Sequence, residues 1–117
     1  MTIDDLPTDP DGNAIRGVFS RGSIASEPML IDFQIGCPSR EVAEQIAGLV
    51  PSSRYTTKIY TDEEEPDEIE PWTVESSRSM LLTYEGVIEC QNELTEVAEK
   101  FGCACEAWGT FGNVKEA

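Results

Sequence analysis

The chain has 117 residues, enough for one domain with a modest hydrophobic core. It carries 23 acidic residues, 8 basic residues and no histidine, which gives a net charge of -15. A field of this sign repels nucleic acid and anionic membranes and favours a basic protein partner, although an acidic surface also serves simply to keep a small protein soluble.

Targeting and redox signals point to one compartment. The sequence contains no apolar run of membrane-spanning length, and its start is not a basic segment followed by an apolar one. The four cysteines, Cys37, Cys90, Cys103 and Cys105, fall mostly within predicted strands or helices, as thiols do in a reducing environment. We therefore expect a soluble cytoplasmic protein.

Metal and cofactor signals are weak. Cys103 and Cys105 are separated by one residue, whereas structural zinc sites pair cysteines across two to four residues and need four ligands. Asp9, Asp11 and Asn13 are spaced like the start of a calcium loop, but the sixth and twelfth positions hold alanine and serine. The favoured interpretation of this segment is a helix start, and we expect no metal and no cofactor.

The first half of the chain predicts a helix, a strand and a second helix. Residues 1–10 form a polar leader, and the apolar positions in 13–20 indicate a short helix. In residues 30–35, Ile31, Phe33 and Ile35 alternate with Asp32 and Gln34, which is typical of a half-buried strand. A helix begins near residues 38–39 and runs to residue 50, and Pro51 ends it.

The second half predicts two strands, a helix and a last strand. Residues 55–61 and 72–80 read as antiparallel strands joined by the acidic run 62–68. A helix over 85–101 ends at Gly102, because glycine readily adopts the positive φ found after a last turn. In residues 103–111, strict alternation places Cys105, Ala107 and Gly109 on one side, and Glu106 and Trp108 on the other.

This order of elements predicts an α+β fold. A βαββαβ order is that of the ferredoxin-like unit, a four-stranded antiparallel sheet with two helices on one face, here preceded by a short N-terminal helix. Alternation then leaves an uncovered face that shows Lys58 and most of the candidate residues below.

RNA-recognition domains with this order bind RNA on such a face through aromatic and basic residues. Here carboxylates replace most of the basic residues, so the face suits a basic protein segment, with Tyr60 and Trp108 as anchors. Trp108 has a second interpretation, in which it folds over the sheet edge against the N-terminal segment. The predicted partner-binding residues, on the open face and in the acidic run, are Asp32, Gln34, Tyr60, Glu63, Glu64, Glu65, Asp67, Glu68, Glu75, Glu106 and Trp108.

Two other classes of function stay open. Glu75 and Glu106 are the best candidates for acid or base chemistry if the face forms a pocket for a small ligand. A toxin-neutralising or self-associating module is the remaining alternative. No nucleophile with an imidazole base exists, because histidine is absent.

Several segments together resemble a known family. They are Ser77-Arg78-Ser79-Met80, the helix positions Leu94, Ala98, Glu99 and Phe101 with Gly102, then Glu106-Ala107-Trp108-Gly109, and nearer the start the segments 11–16 and 31–33. The chain is similar to the regulator of ribonuclease activity B family, the ribonuclease E inhibitor proteins. Family members commonly have Tyr-Asp-Gly-Trp-Gly where this chain has residues 105–109.

The resemblance implies an acidic cytoplasmic protein that binds ribonuclease E and lowers its cleavage of RNA without doing chemistry itself. No catalytic residue is then expected. It also implies that residues 28–117 form the family domain and that residues 1–27 form an N-terminal segment with a short helix, within a single domain overall.

Overall fold

A computed structural model describes residues 8–61 and 72–113. The elements in chain order are helix α1, strand β1, helix α2, strands β2 and β3, helix α3, a 3₁₀ turn and strand β4. Their bounds are α1 Pro10–Ser20, β1 Met29–Cys37, α2 Arg40–Leu49, β2 Thr56–Thr61, β3 Trp72–Met80, α3 Tyr84–Ala98, the 3₁₀ turn Glu99–Phe101 and β4 Cys105–Thr110. The predicted helix 85–101 is therefore α3 with a tighter last turn.

Each helix begins at a side chain that caps its first turn. Asp9 accepts a hydrogen bond from the Gly12 amide at 2.8 Å, so the segment that resembles a calcium loop is the start of α1. Ser39 and Thr83 make the same contact at the starts of α2 and α3. Gly102, at φ +76, ends the 3₁₀ turn in the left-handed conformation that the sequence predicted.

The four strands form one antiparallel sheet in the order β2-β3-β1-β4. This arrangement confirms the predicted α+β fold with a βαββαβ order after an N-terminal helix. The alternating residues Ile31, Phe33 and Ile35 of β1 are fully buried on the face that packs against the helices. Ile15 of α1 and Leu94 of α3 are buried in the same core, so α1 adds to the layer of helices.

The alternation predicted for β4 is broken by a β-bulge. Cys105 pairs with Ile35, but Ala107 pairs with Gln34, so Glu106 has no counterpart on β1. One extra residue reverses the face of everything that follows it. Trp108, which pairs with Phe33, therefore shares the face of the helices, and Gly109, which pairs with Asp32, lies on the open face.

Candidate functional site

Four of the predicted residues lie together on the uncovered face of the sheet. Gln34 pairs with Glu75 across β1 and β3, and Lys58 of β2 pairs with Glu75 on the other side. Because directly opposite residues share a face, the register places Asp32 and Tyr60 there too. We call this surface, Asp32, Gln34, Lys58, Tyr60, Glu75 and Ser77, the open face.

Glu75 is the centre of a polar network on the open face. Its carboxylate accepts from Lys58 Nζ at 3.1 Å, from Tyr60 Oη at 3.3 Å and from Gln34 Nε2 at 3.4 Å. The hydrogen bond to Glu75 raises the pKa of the Lys58 ammonium, and burial followed by the Glu75 charge raises the pKa of Tyr60. The network holds Glu75 in one position with its oxygens occupied.

Asp32 is fixed in the lining of a depression. The hydroxyl of Ser77 donates to Asp32 Oδ1 at 2.5 Å, which orients the carboxylate from the neighbouring strand. The depression has a volume of about 760 Å³ and is open to solvent. Its lining residues are Leu30, Asp32, Gln34, Thr56, Lys58, Glu75, Ser77, Gly109, Thr110 and Phe111.

Trp108 does not stand on the open face, and the prediction that placed it there is wrong. Its ring is partly buried against the core under the helices, and its Nε1 donates to Asp11 Oδ1 of α1 at 2.9 Å. Gln91 of α3 donates to the same oxygen at 3.3 Å, and Tyr84 of α3 donates to Asp9. The second interpretation, in which Trp108 packs against the N-terminal segment, matches this geometry.

The remaining predicted residues are Glu106 and the five acidic residues between β2 and β3. Glu106 is exposed at the bulge, where it has no partner in the strand register. The predicted acidic residues between β2 and β3, namely Glu63, Glu64, Glu65, Asp67 and Glu68, lie outside the described residues. The part that each plays in binding stays a prediction.

Two exposed apolar residues border the depression, and neither was among the predicted site residues. Leu30 is 56% exposed on β1, and Phe111, directly after β4, is 101% exposed. The sequence did indicate that Leu30 is exposed, because it occupies a polar position in the alternation with Asp32 and Gln34. Nothing in the sequence indicated that Phe111 is exposed, since an aromatic residue at a strand end is ordinarily part of a core.

Asn113 anchors the segment that follows β4. Its side-chain amide accepts from the Ile24 amide at 2.7 Å and donates to the carbonyl oxygens of Ile24 and Glu27 at 2.9 and 3.0 Å. Asn113→Ala removes these bonds at an exposed site, so we expect a loss of only about 1 kcal/mol in the free energy of unfolding.

The same substitution is expected to accelerate amide hydrogen exchange clearly at Ile24 and over residues 110–113. Asn92→Ala, at an exposed position of α3, is the matched control and leaves exchange in that segment unchanged. Unchanged exchange at Ile24 in Asn113→Ala would contradict the anchoring role.

The described residues form neither a metal-binding cluster nor a membrane-spanning helix. Within 8–61 and 72–113, no three Cys, Asp or Glu side chains gather as a metal site requires. In the same residues, no helix is both long and apolar enough to cross a membrane. The carboxylate of Glu75 is engaged by three donors from its own sheet.

Comparison with known proteins identifies the family. The family described as regulator of ribonuclease activity B matches residues 8–110, which include every described helix and strand. No significant match to a curated protein is found. Since the match covers most of the 117 residues, the chain belongs to the regulator of ribonuclease activity B (RraB) family.

Proposed function

We propose that this protein binds an endoribonuclease through the open face and thereby lowers its cleavage of RNA. The observation that carries the proposal is the uncovered sheet face, on which Asp32 and Glu75 are held in place by neighbouring strands. Membership of a family of ribonuclease regulators supports the direction of the effect. Ribonuclease E is the partner to test first.

Electrostatics support a basic docking segment on the partner. The protein has a net charge of -15, and Lys58, the one cation on the open face as defined by its described residues, is paired with Glu75. Long-range attraction between opposite charges accelerates association and orients the partner. The acidic run of residues 62–70 is proposed to extend the same attraction.

The proposed regulator acts by occupancy and not by chemistry of its own. An acid or base catalyst must exchange a proton with a bound substrate, which requires access to its carboxyl oxygens. Lys58, Tyr60 and Gln34 occupy those of Glu75. Binding would instead cover a surface with which the ribonuclease binds RNA.

Charge neutralisation on the open face tests the proposal. We expect Asp32→Asn combined with Glu75→Gln to weaken binding to purified ribonuclease E about tenfold at low salt, because two attractive charges are lost from the open face. Biolayer interferometry across a salt series measures the affinity, and a ribonuclease assay measures the matching loss of inhibition. Wild-type affinity should itself fall as salt rises.

Glu89→Gln combined with Glu96→Gln is the matched control. Both residues are exposed on α3, and their neutralisation changes the net charge by the same amount. If the open-face variant bound as tightly as the wild type, or if the control weakened binding equally, the open face would not be the binding surface.

A second candidate, binding of a small cationic ligand, is favoured by the depression alone. The depression of about 760 Å³ lies within the range of ligand sites and contains two carboxylates, Asp32 and Glu75. Isothermal titration with a panel of small amines tests it. Saturable heat that Asp32→Asn removes would support the candidate, and the absence of heat with every amine would reject it.

A further inference from the structure

Phe111 is fully exposed and yet stands on a rigid support. The hydroxyl of Thr110 donates to the Leu30 carbonyl at 2.7 Å, and it accepts from the Gly112 amide at 3.0 Å. The Asn113 amide then donates to Ser23 Oγ at 3.3 Å, in addition to the three bonds made by its side chain. Residues on both sides of Phe111 are therefore tied to the loop that precedes β1 and to β1 itself.

Gly112 makes this support possible. Its φ of +78 is a conformation that favours glycine, and a Cβ at this position would lie 2.3 Å from Ser23 Oγ. The chain thus turns sharply after Phe111 and presents the ring to water. Exposing a complete phenylalanine side chain forgoes the free energy that its burial would contribute, so a fold that holds it outward is better explained by an interaction than by stability.

The exposed ring borders an apolar end of the depression. Leu30 and Phe111 both line it, and Gly109, which also lines the depression, lies directly opposite Asp32 in the sheet register. Among residues 8–61 and 72–113, no atom lies within 4 Å of a Cβ built at Gly109, so no described side chain fills the space next to this glycine. The depression can therefore receive a side chain from outside without any rearrangement of its own.

Apolar and acidic groups follow each other along β1. Leu30, Asp32 and Gln34 point to the same side of the sheet, and alternate residues of a strand are about 7 Å apart. A segment lying on this side meets an apolar surface first and the Asp32 carboxylate next, with Glu75 beyond it across from Gln34.

We propose that this end of the open face binds a partner segment in which an apolar side chain is followed by lysine or arginine. The apolar side chain packs between Leu30 and Phe111, and the cations face Asp32 and Glu75. This proposal rests on the proposed function for the identity of the face, and adds the chemistry of the segment that docks there.

Charge complementarity selects this occupant. A second copy of the chain also carries a net charge of -15, and a nucleic acid carries a charge of the same sign on every phosphate. Both are repelled, whereas a basic segment is attracted. The apolar side chain of the segment adds affinity to the attraction between charges, because interface affinity concentrates in a few buried apolar or aromatic contacts.

Two synthetic peptides test the proposal on the whole protein. Each is a labelled peptide of about a dozen residues rich in arginine; one contains leucines, and in the other serines replace them. Fluorescence anisotropy measures their affinities. We expect the leucine peptide to bind about tenfold more tightly than the serine peptide, and Phe111→Ser to abolish that difference.

Gly109→Leu is a second variant that does not depend on losing a contact. It fills the empty space and is expected to weaken binding of the leucine peptide about tenfold while thermal unfolding stays unchanged. Gly48→Leu is the matched control, because a Cβ at Gly48, on the exposed surface of α2, also meets no atom of the described part of the chain within 4 Å.

The outcomes separate this inference from the proposed function. Equal affinities for the two peptides, or a leucine preference that survives both Phe111→Ser and Gly109→Leu, would overturn the inference. In that case binding of ribonuclease E that depends on Asp32 and Glu75 would leave the proposed function standing. Self-association detected by light scattering and removed by Phe111→Ser would assign the apolar end to a second copy instead, and would also overturn the inference.

Discussion

Trp108→Ala is expected to lower the free energy of unfolding by about 3 kcal/mol, measured by urea denaturation. The ring packs against the core on the face of the helices, and its removal leaves a cavity between β4 and α1. A loss of this size is a large fraction of the stability of a domain of this length. The folded protein is expected to keep its affinity for the ribonuclease, because the ring is not on the open face.

Trp108→Phe separates packing from hydrogen bonding. Phenylalanine retains most of the apolar contact but cannot donate to Asp11, so we expect a loss of about 1 kcal/mol. Asp11 keeps the hydrogen bond from Gln91, which limits the cost of losing the indole donor. If Trp108→Ala were neutral to stability and instead abolished binding, Trp108 would be the partner anchor that the strict alternation of the sequence predicted.

Stability is expected to fall by about 2 to 3 kcal/mol between pH 9 and pH 11. Burial raises the pKa of the Cys105 thiol to about 11, above that of an unfolded cysteine. Well below pH 9 the thiol is neutral in both states. As pH rises further, the unfolded chain loses this proton and the folded chain keeps it, so unfolding becomes more favourable by about 1.4 kcal/mol for each pH unit.

Tyr55 adds to the same alkaline loss. Burial first, with its contacts to Cys90 and Glu93, raises the pKa of Tyr55 above its ordinary value near 10. Urea unfolding at a series of pH values under reducing conditions measures both effects. Cys105→Ala is expected to remove the part that begins near pH 9 and to keep the part that begins near pH 10; a wild-type profile that is flat to pH 11 would contradict both assignments.

The elements of this fold were predictable because their signals are local. Alternation in residues 30–35 identified β1, and apolar residues at helical spacing identified α2 and α3. The same alternation selected Asp32 and Gln34 for the open face. Their contacts, however, depend on the register between β1, β2 and β3, which no single strand contains.

The site differs from its prediction where one residue changes the geometry. Glu106 is the bulge residue of β4, without a pairing partner on β1. A sequence of alternating residues does not show where a bulge lies, because each residue remains compatible with a strand. The bulge sends Trp108 to α1 and brings Gly109 to the open face. The exposure of Phe111 depends in turn on contacts between segments about 90 residues apart, such as the one from Asn113 to Ser23.

The sequence by itself thus determined the α+β fold, the acidic character and the family, since periodicity, composition and ordered motifs can all be read along the chain. Only the tertiary structure decided which aromatic ring is buried and which is presented. Trp108 is held inward by Asp11, and Phe111 is held outward by the turn at Gly112. The face of a side chain depends on strand register and on distant partners, and both are set when the sheet assembles.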